Sequence, residues 1–387
     1  MARAVFMRVM SLKRHNEGKG WLWSAPAAGL ALAMLLAATA PARADVAFLM
    51  EEPYGGFGSV NPTGHAALYF NHICAETPTR LRACRPGEQG VVISRYHKVG
   101  GYDWLAIPLV PYLYAVERVD DIPQAADVRL RDELRDRYRR AHLDAIAPDV
   151  ATEYGTWASP KGDWYQLVGS SYDRRIYGFQ IETTTDEDAR FMAQYNDRKN
   201  ISNFNLFFRN CADFSRTVLN GFFPHAIRRN YLADFGLTTP KQVARSLEKY
   251  AKKNPGIPYI VFMIPQVPGT IARSHRINGV AESLVKSKKY VIPMALFYPE
   301  VAGVVGVTYL TQGRFSAPKD AQEVALPGED ARVMIARQQE VGAAAESADA
   351  QPGIYVEYKK SPLDDHGVNL ERREGDGVAG GLGGSTE

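Results

Sequence analysis

The sequence predicts an α+β protein in which helices pack against a small, mainly antiparallel sheet. The first observation is a set of short runs rich in β-branched and aromatic residues, which are typical of strands: 46–50, 65–70, 90–97 and 176–183. The second is a set of segments with helical spacing or helix-start signals: 127–147, 185–195, 211–220 and 239–252. The third is composition, since 387 residues with 45% hydrophobic and 23% charged side chains exclude a disordered or collagen-like chain.

The helix prediction is clearest over 127–147, where leucine, tyrosine and alanine recur at intervals of four, four and three and Pro148 ends the pattern. A further helix begins at Thr239-Pro240, because proline is favoured at the first helical position. An apolar strand is predicted over 204–208, running directly into the helix that begins at Cys211.

The N-terminal segment 1–44 has the pattern of a cleavable secretory signal. A basic stretch is followed by the apolar run 26–41 and by Ala42-Arg43-Ala44, small residues that suit cleavage after Ala44. An uncleaved membrane anchor is the alternative. We therefore expect an exported, periplasmic protein, with membrane association as a further option, in an oxidising compartment.

The charge distribution argues against a nucleic-acid partner. The formal net charge is +3, and residues 45–312 carry a surplus of only +4, since 1–44 contributes +5 and 313–387 contributes −6. So small a surplus, without a basic motif, is not a nucleic-acid footprint. The acidic segment 313–387 lacks a core-forming pattern, so we predict a disordered tail.

Residues 256–312 are predicted to form a C-terminal extension that contains an apolar stretch, 290–310. Its 21 residues carry one charge, Glu300, and suit a membrane span in length. Two prolines and the central Glu300 argue against a span, because a carboxylate is costly in hydrocarbon. A buried hairpin, or apolar cover for the sheet, is the alternative.

The three cysteines divide into a pair and a single residue. Cys74 and Cys84 lie in one polar loop and are predicted to form a local disulfide in an oxidising compartment. Cys211 is then alone at the start of a helix, where the helix dipole and unbonded N–H groups favour a thiolate and can hold an oxyanion. A free cysteine that only packs in the core is the alternative.

A cysteine nucleophile needs an imidazole base and a polar group that orients it. Two histidines lie on predicted strands, His65 and His97. If these strands form a hairpin with Phe70 opposite Val92, His97 lies opposite His65 and can orient it. A slip of one residue would present Tyr96 or Lys98 instead.

These residues carry a family resemblance. Gly64-His65-Ala66-Ala67-Leu68-Tyr69, followed far downstream by Asn210-Cys211-Ala212-Asp213-Phe214, resembles the circularly permuted papain-like thiol enzymes, the lecithin–retinol acyltransferase-like branch of the NlpC-type superfamily. The resemblance covers about 45–255 and implies a permuted papain-like thiol domain there. It implies that Cys211 is the nucleophile, His65 the base and His97 the orienting residue, with Asn210 supporting the oxyanion site.

The predicted function is an exported cysteine-dependent hydrolase or acyltransferase that cleaves an amide or ester through a thioester. A cell-wall peptide, a lipid acyl group or a lipoprotein is the expected substrate. The first alternative is a non-catalytic envelope protein that uses the same fold for binding or scaffolding. A metal site built from His65, His72 and His97 is the second. No cofactor is predicted, because no phosphate-binding glycine fingerprint is present.

Overall fold

The computed structural model describes residues 43–55, 62–153, 156–319 and 321–327. Its centre is a seven-stranded sheet in the order β11-β10-β9-β1-β2-β5-β6. These strands are β1 (Arg43–Glu51), β2 (His65–Phe70), β5 (Val91–Ser94), β6 (Leu105–Pro108), β9 (Ile176–Thr184), β10 (Tyr259–Ile264) and β11 (Gln322–Glu323). All neighbouring strands are antiparallel except β10 and β11, which are parallel.

Two small hairpins lie outside the main sheet. One is formed by β3 (Ile73–Thr77) and β4 (Arg80–Ala83), the other by β7 (Val150–Ala151) and β8 (Trp157–Ala158). The β3–β4 hairpin is inserted between β2 and β5, and a disulfide joins Cys74 at its start to Cys84 just after its end. The predicted pairing of these two cysteines is confirmed.

The described part of the chain contains nine α-helices. They are α1 (Leu109–Tyr114), α2 (Val128–Tyr138), α3 (Ser170–Asp173), α4 (Thr185–Asp197), α5 (Cys211–Phe222), α6 (Pro240–Lys253), α7 (Val280–Lys286), α8 (Lys288–Phe297) and α9 (Pro299–Thr308). The α+β class is confirmed. The sheet, with seven strands, is larger than the small sheet that the sequence predicts.

Helices cover both faces of the sheet because its central strands are apolar on both sides. In β1, Phe48 packs on one face with residues of α4, α5 and α6, whereas Leu49 packs on the other face with residues of α1 and α2. Every residue of β2 is buried. The result is a three-layer core with α5 on one face of β2.

The pairing of β2 with β5 is antiparallel, as predicted, but its register differs by one residue. Tyr69, rather than Phe70, lies opposite Val92. Gly90 has φ +83 and lies so close to the Phe70 carbonyl that a Cβ there would come within 2.1 Å of the oxygen. Only glycine fits this approach, so β5 begins one residue later than the apolar pattern suggests.

Residues 204–208 do not form the predicted strand. Asn205 and Arg209 pair with each other across a tight loop, and Phe207 and Phe208 are exposed. The apolar character that suggested a strand therefore belongs to a surface loop directly before α5.

The apolar stretch 290–310 forms two short helices, α8 and α9, which are separated at Tyr298. None of the helices in the described ranges is both long and apolar enough to cross a membrane. The two helices do not form a buried hairpin, because most of their large apolar side chains are exposed.

The chain just beyond these helices packs on the core instead of starting a disordered tail at 313. The short strand β11 extends the sheet beside β10, and Val324 is buried. The hydroxyl of Tyr114 donates to the Ala325 carbonyl at 2.6 Å. The remainder of the predicted tail, 328–387, and the predicted signal up to residue 42 lie outside the described residues.

Candidate active site

Cys211 is the first residue of α5, and its placement follows from the helix cap. The side-chain oxygen of Asn210 accepts from the Asp213 N–H at 2.9 Å, which starts the helix at Cys211. The thiol of Cys211 meets the backbone N–H groups of Ala66, Ala212 and Cys211 itself. The start of α5 thus meets the start of β2, one residue from His65.

The side-chain amide of Asn210, which the resemblance assigns to the oxyanion site, already has two partners. Its amide nitrogen donates to the Leu206 carbonyl at 3.0 Å and to the Thr238 carbonyl at 3.2 Å. Both amide hydrogens are used, so the side chain has none to offer a substrate oxygen. Asn210 instead holds α5 and the 204–208 loop in place.

His65 is buried at the start of β2, and Ser94 fixes its tautomer. The Ser94 hydroxyl lies 3.1 Å from His65 Nε2 and 2.6 Å from the Ala66 carbonyl oxygen. A hydroxyl has one proton, and the carbonyl can only accept, so Ser94 donates to Ala66 and accepts from Nε2–H. The lone pair of the neutral ring is therefore on Nδ1, which is the atom able to act as a base.

The structure does not place His97 against His65. Tyr96, two residues beyond the end of β5, lies there instead, with the two rings stacked at a centroid distance of 5.2 Å. The ring of His97 packs against Phe204, also at 5.2 Å. His97 borders the same cavity as His65, but Ser94 and Tyr96 are the residues that hold the His65 ring.

A buried ionic group lies beside His65 on the neighbouring strand. Glu51 is directly opposite His65 in the β1–β2 register. Its carboxylate pairs with Arg174 at 3.0 Å and accepts from Ser170 at 2.8 Å and from the Tyr112 hydroxyl. Burying a carboxylate is costly unless it is paired and hydrogen-bonded, and these partners satisfy that condition.

The sequence gives only weak signals for Ser94 and Glu51. Ser94 ends the apolar run of β5 and is fully buried, and Glu51 ends the apolar run of β1. A polar residue at the end of an apolar strand is consistent with a site. It is also the ordinary way for a strand to end, so neither residue stands out from the pattern alone.

Burial sets the charge of both candidate catalytic groups. It lowers the pKa of His65 to about 4, with a smaller upward effect from Glu51 and a downward one from Arg174. Burial raises the pKa of the Cys211 thiol to about 11, although the hydrogen bond from the Ala66 N–H lowers it. For Cys211 this shift is opposite to the thiolate that the helix N-terminus favours, because loss of water disfavours the charged sulfur. Near neutral pH the pair is a thiol and a neutral imidazole.

A cavity of about 670 Å³ contains both groups. Its wall includes Cys211, His65 and Arg174, and it has a largely apolar side formed by Phe204, Leu206, Phe207, Leu237, Leu284 and Tyr290. The volume lies in the range of small-molecule sites, which bury most of a ligand against apolar walls with few polar groups.

The arrangement gives no support to the metal alternative. Among the described residues, the cluster of three ligand-type side chains within 4.8 Å of one another is Cys74, Cys84 and Glu88. It does not include His65, His72 or His97, and its two sulfurs are joined in the disulfide. Oxidised sulfurs do not supply the thiolates that a zinc site needs.

Comparisons of the chain with protein-family models, with curated proteins and with solved structures found no match.

Proposed function

We propose that this protein is a cysteine-dependent hydrolase or acyltransferase that acts on an amide or ester through a thioester intermediate. The observation that carries the proposal is the placement of Cys211 and His65 on one cavity, with Ser94 holding the imidazole so that Nδ1 is its basic atom. The resemblance to the permuted papain-like thiol enzymes supports it, and that fold is part of the proposal.

The first half-reaction begins from a neutral pair. As Cys211 Sγ attacks the substrate carbonyl carbon, His65 Nδ1 takes the thiol proton. The carbonyl electrons move to oxygen, where backbone N–H groups at the start of α5 stabilise the oxyanion. Collapse expels the amine or alcohol, which takes the proton from His65 and leaves a thioester on Cys211.

The second half-reaction returns the enzyme to its starting state. Water or another nucleophile loses its proton to His65 as it attacks the thioester carbonyl. The Cys211 sulfur leaves and recovers the proton. Water gives a hydrolase, whereas an amine or alcohol acceptor gives an acyltransferase.

The expected setting is outside the cytoplasm, in the periplasm. The Cys74–Cys84 disulfide supports this setting, because disulfides persist in oxidising compartments. A cell-wall peptide, a lipid acyl group or a lipoprotein remains the proposed substrate class.

The second candidate is a non-catalytic binding or scaffold protein, favoured by the raised pKa of the Cys211 thiol. A test that separates the two uses a 4-nitrophenyl ester as an acyl donor. Catalysis predicts release of nitrophenol and an acyl mass increase on the peptide that contains Cys211. Cys211→Ala should remove both signals while the protein remains folded. Acylation elsewhere, or none in the folded wild-type protein, supports the scaffold.

A further inference from the structure

The helices α8 and α9 form an apolar surface without a partner in the described part of the chain. Nine large apolar side chains in 290–310 are exposed: Tyr290, Ile292, Leu296, Phe297, Tyr298, Val301, Val304, Val307 and Leu310. Leu296 and Phe297 are 71% and 73% exposed. A helix that is apolar on all sides is normally buried in a core or in a membrane, so this surface requires an occupant.

Basic residues lie at one end of this surface. Lys288 and Lys289 are exposed at the start of α8, and Arg314 is exposed just after the segment that follows α9. That segment, 309–313, packs against α7, which immediately precedes α8. The two basic ends of the helix pair are therefore close together.

Each end also carries an aromatic ring beside its charge. Lys289 lies 5.8 Å from the centre of the Tyr290 ring, and Arg314 lies 6.0 Å from that of Tyr309. Tyrosine with lysine or arginine is the combination found at the interface of a bilayer, where the rings sit at headgroup level and the charges reach water.

On this basis we propose that α8 and α9 dock on the surface of an anionic lipid bilayer. The apolar side chains enter the outer part of the hydrocarbon, and Lys288 and Lys289 contact the headgroups. This proposal concerns membrane binding only, and it stands whether or not Cys211 is a nucleophile.

Glu300 limits the depth of insertion. Each helix has ten residues and is about 15 Å long, half of a hydrocarbon core of about 30 Å. If the pair pointed into the bilayer, Glu300 at the far end would enter hydrocarbon at a high cost. The helices therefore lie along the interface, at a depth of about 5–10 Å.

The apolar surface continues into the cavity of the candidate site. Tyr290 and Leu284 form part of the cavity wall, and so do Leu206 and Phe207, which are also exposed at the rim. Docking through α8 and α9 would thus bring the mouth of the cavity to the membrane surface.

The test places a fluorescent label at one position of the full chain. In a Cys211→Ser background, Leu296→Cys supplies a single free thiol for an environment-sensitive nitrobenzoxadiazole label, because the other two cysteines are joined. Trp157→Cys is the matched control, since Trp157 is 72% exposed and lies outside the cavity wall. A local label separates docking by α8 from any binding by the apolar run 26–41.

With phosphatidylcholine–phosphatidylglycerol vesicles, the label at 296 should shift to the blue and be quenched by nitroxide lipids, whereas the label at 157 should do neither. Lys288→Ser and Lys289→Ser should each weaken this binding about fivefold at low salt. An unchanged signal at 296, or equal quenching at 157, would overturn the proposal. A blue shift without vesicles that grows with protein concentration would assign the surface to a second copy of the chain.

Discussion

At the scale of single residues, burial determines the chemistry of the site. Cys211 and His65 lie in surroundings that disfavour charge on either group, so the pKa of the thiol is raised and that of the imidazole is lowered. The two residues that the resemblance singles out, Cys211 and His65, border one cavity. The resemblance could not supply their charge states, since these depend on side chains brought together by the fold.

The pH dependence of thiol alkylation tests this charge state. Because the pKa of Cys211 is raised to about 11, its reaction with iodoacetamide should be slow at neutral pH and should rise steeply towards that value. The rate is measured by mass spectrometry of the labelled protein. Fast labelling that is independent of pH between 6 and 9 would show a thiolate and contradict the neutral pair.

The stability of the folded protein should also report the buried His65. Its pKa is about 4 in the folded protein against 6.5 in its ordinary state, so between these values the unfolded chain binds a proton that the folded chain does not. The free energy of unfolding is fully retained above 6.5, and about 3 kcal/mol is lost as the pH falls to 4. Urea unfolding of the wild-type protein and of His65→Gln at pH 6.5 and at pH 4 isolates the contribution of His65 to this loss. An equal loss in both proteins would contradict it.

Ser94 is predicted to act as a positioning residue. Ser94→Ala removes the acceptor for His65 Nε2–H, so the ring loses its fixed tautomer and ester hydrolysis should fall about tenfold or more. The pH profile distinguishes this role from a purely structural one, because loss of the hydrogen bond should move the acid limb that belongs to His65. An unchanged rate and profile in the folded variant would remove Ser94 from the site.

At the scale of elements, local signals place the helix starts but do not set strand register. Asn210, Thr239 and Pro240 mark the beginnings of α5 and α6 through short-range capping that the sequence displays. The register of β2 on β5 depends on Gly90, whose close approach to Phe70 appears only after the strands pair. Tyr96 and His97 lie beyond the last residue of β5, so the loop that follows this strand determines which of them contacts His65.

The cap of α5 is predicted to stabilise the site. Asn210→Ala removes the acceptor for the Asp213 N–H and both donors, one to the Leu206 carbonyl and one to the Thr238 carbonyl, so unfolding free energy should fall by about 1–2 kcal/mol. Asn210→Asp keeps the cap acceptor but loses both donors, so its unfolding free energy should lie between those of the wild-type protein and Asn210→Ala. Denaturant titration measures the three proteins. An Ala variant as stable as wild type would contradict the capping role.

At the scale of the whole molecule, the sheet is enclosed on both faces and the candidate cavity lies at the start of β2. The strand β11 beside β10 and the helix α8 beside the cavity come from segments whose composition suggested a tail and a membrane span. Composition could not reveal their positions, because contacts between distant parts of the chain determine them. The proposed catalysis is nevertheless local, since it requires one thiol and one imidazole.

The most direct measurement of this catalysis is the rate of acylation of Cys211 by a 4-nitrophenyl ester in two histidine variants. Both His65 and His97 border the cavity, but only His65 is held by Ser94. We expect His65→Gln to slow acylation by about 10²–10⁴-fold and His97→Gln to change it little. Equal rates for His65→Gln and the wild-type protein would contradict the account.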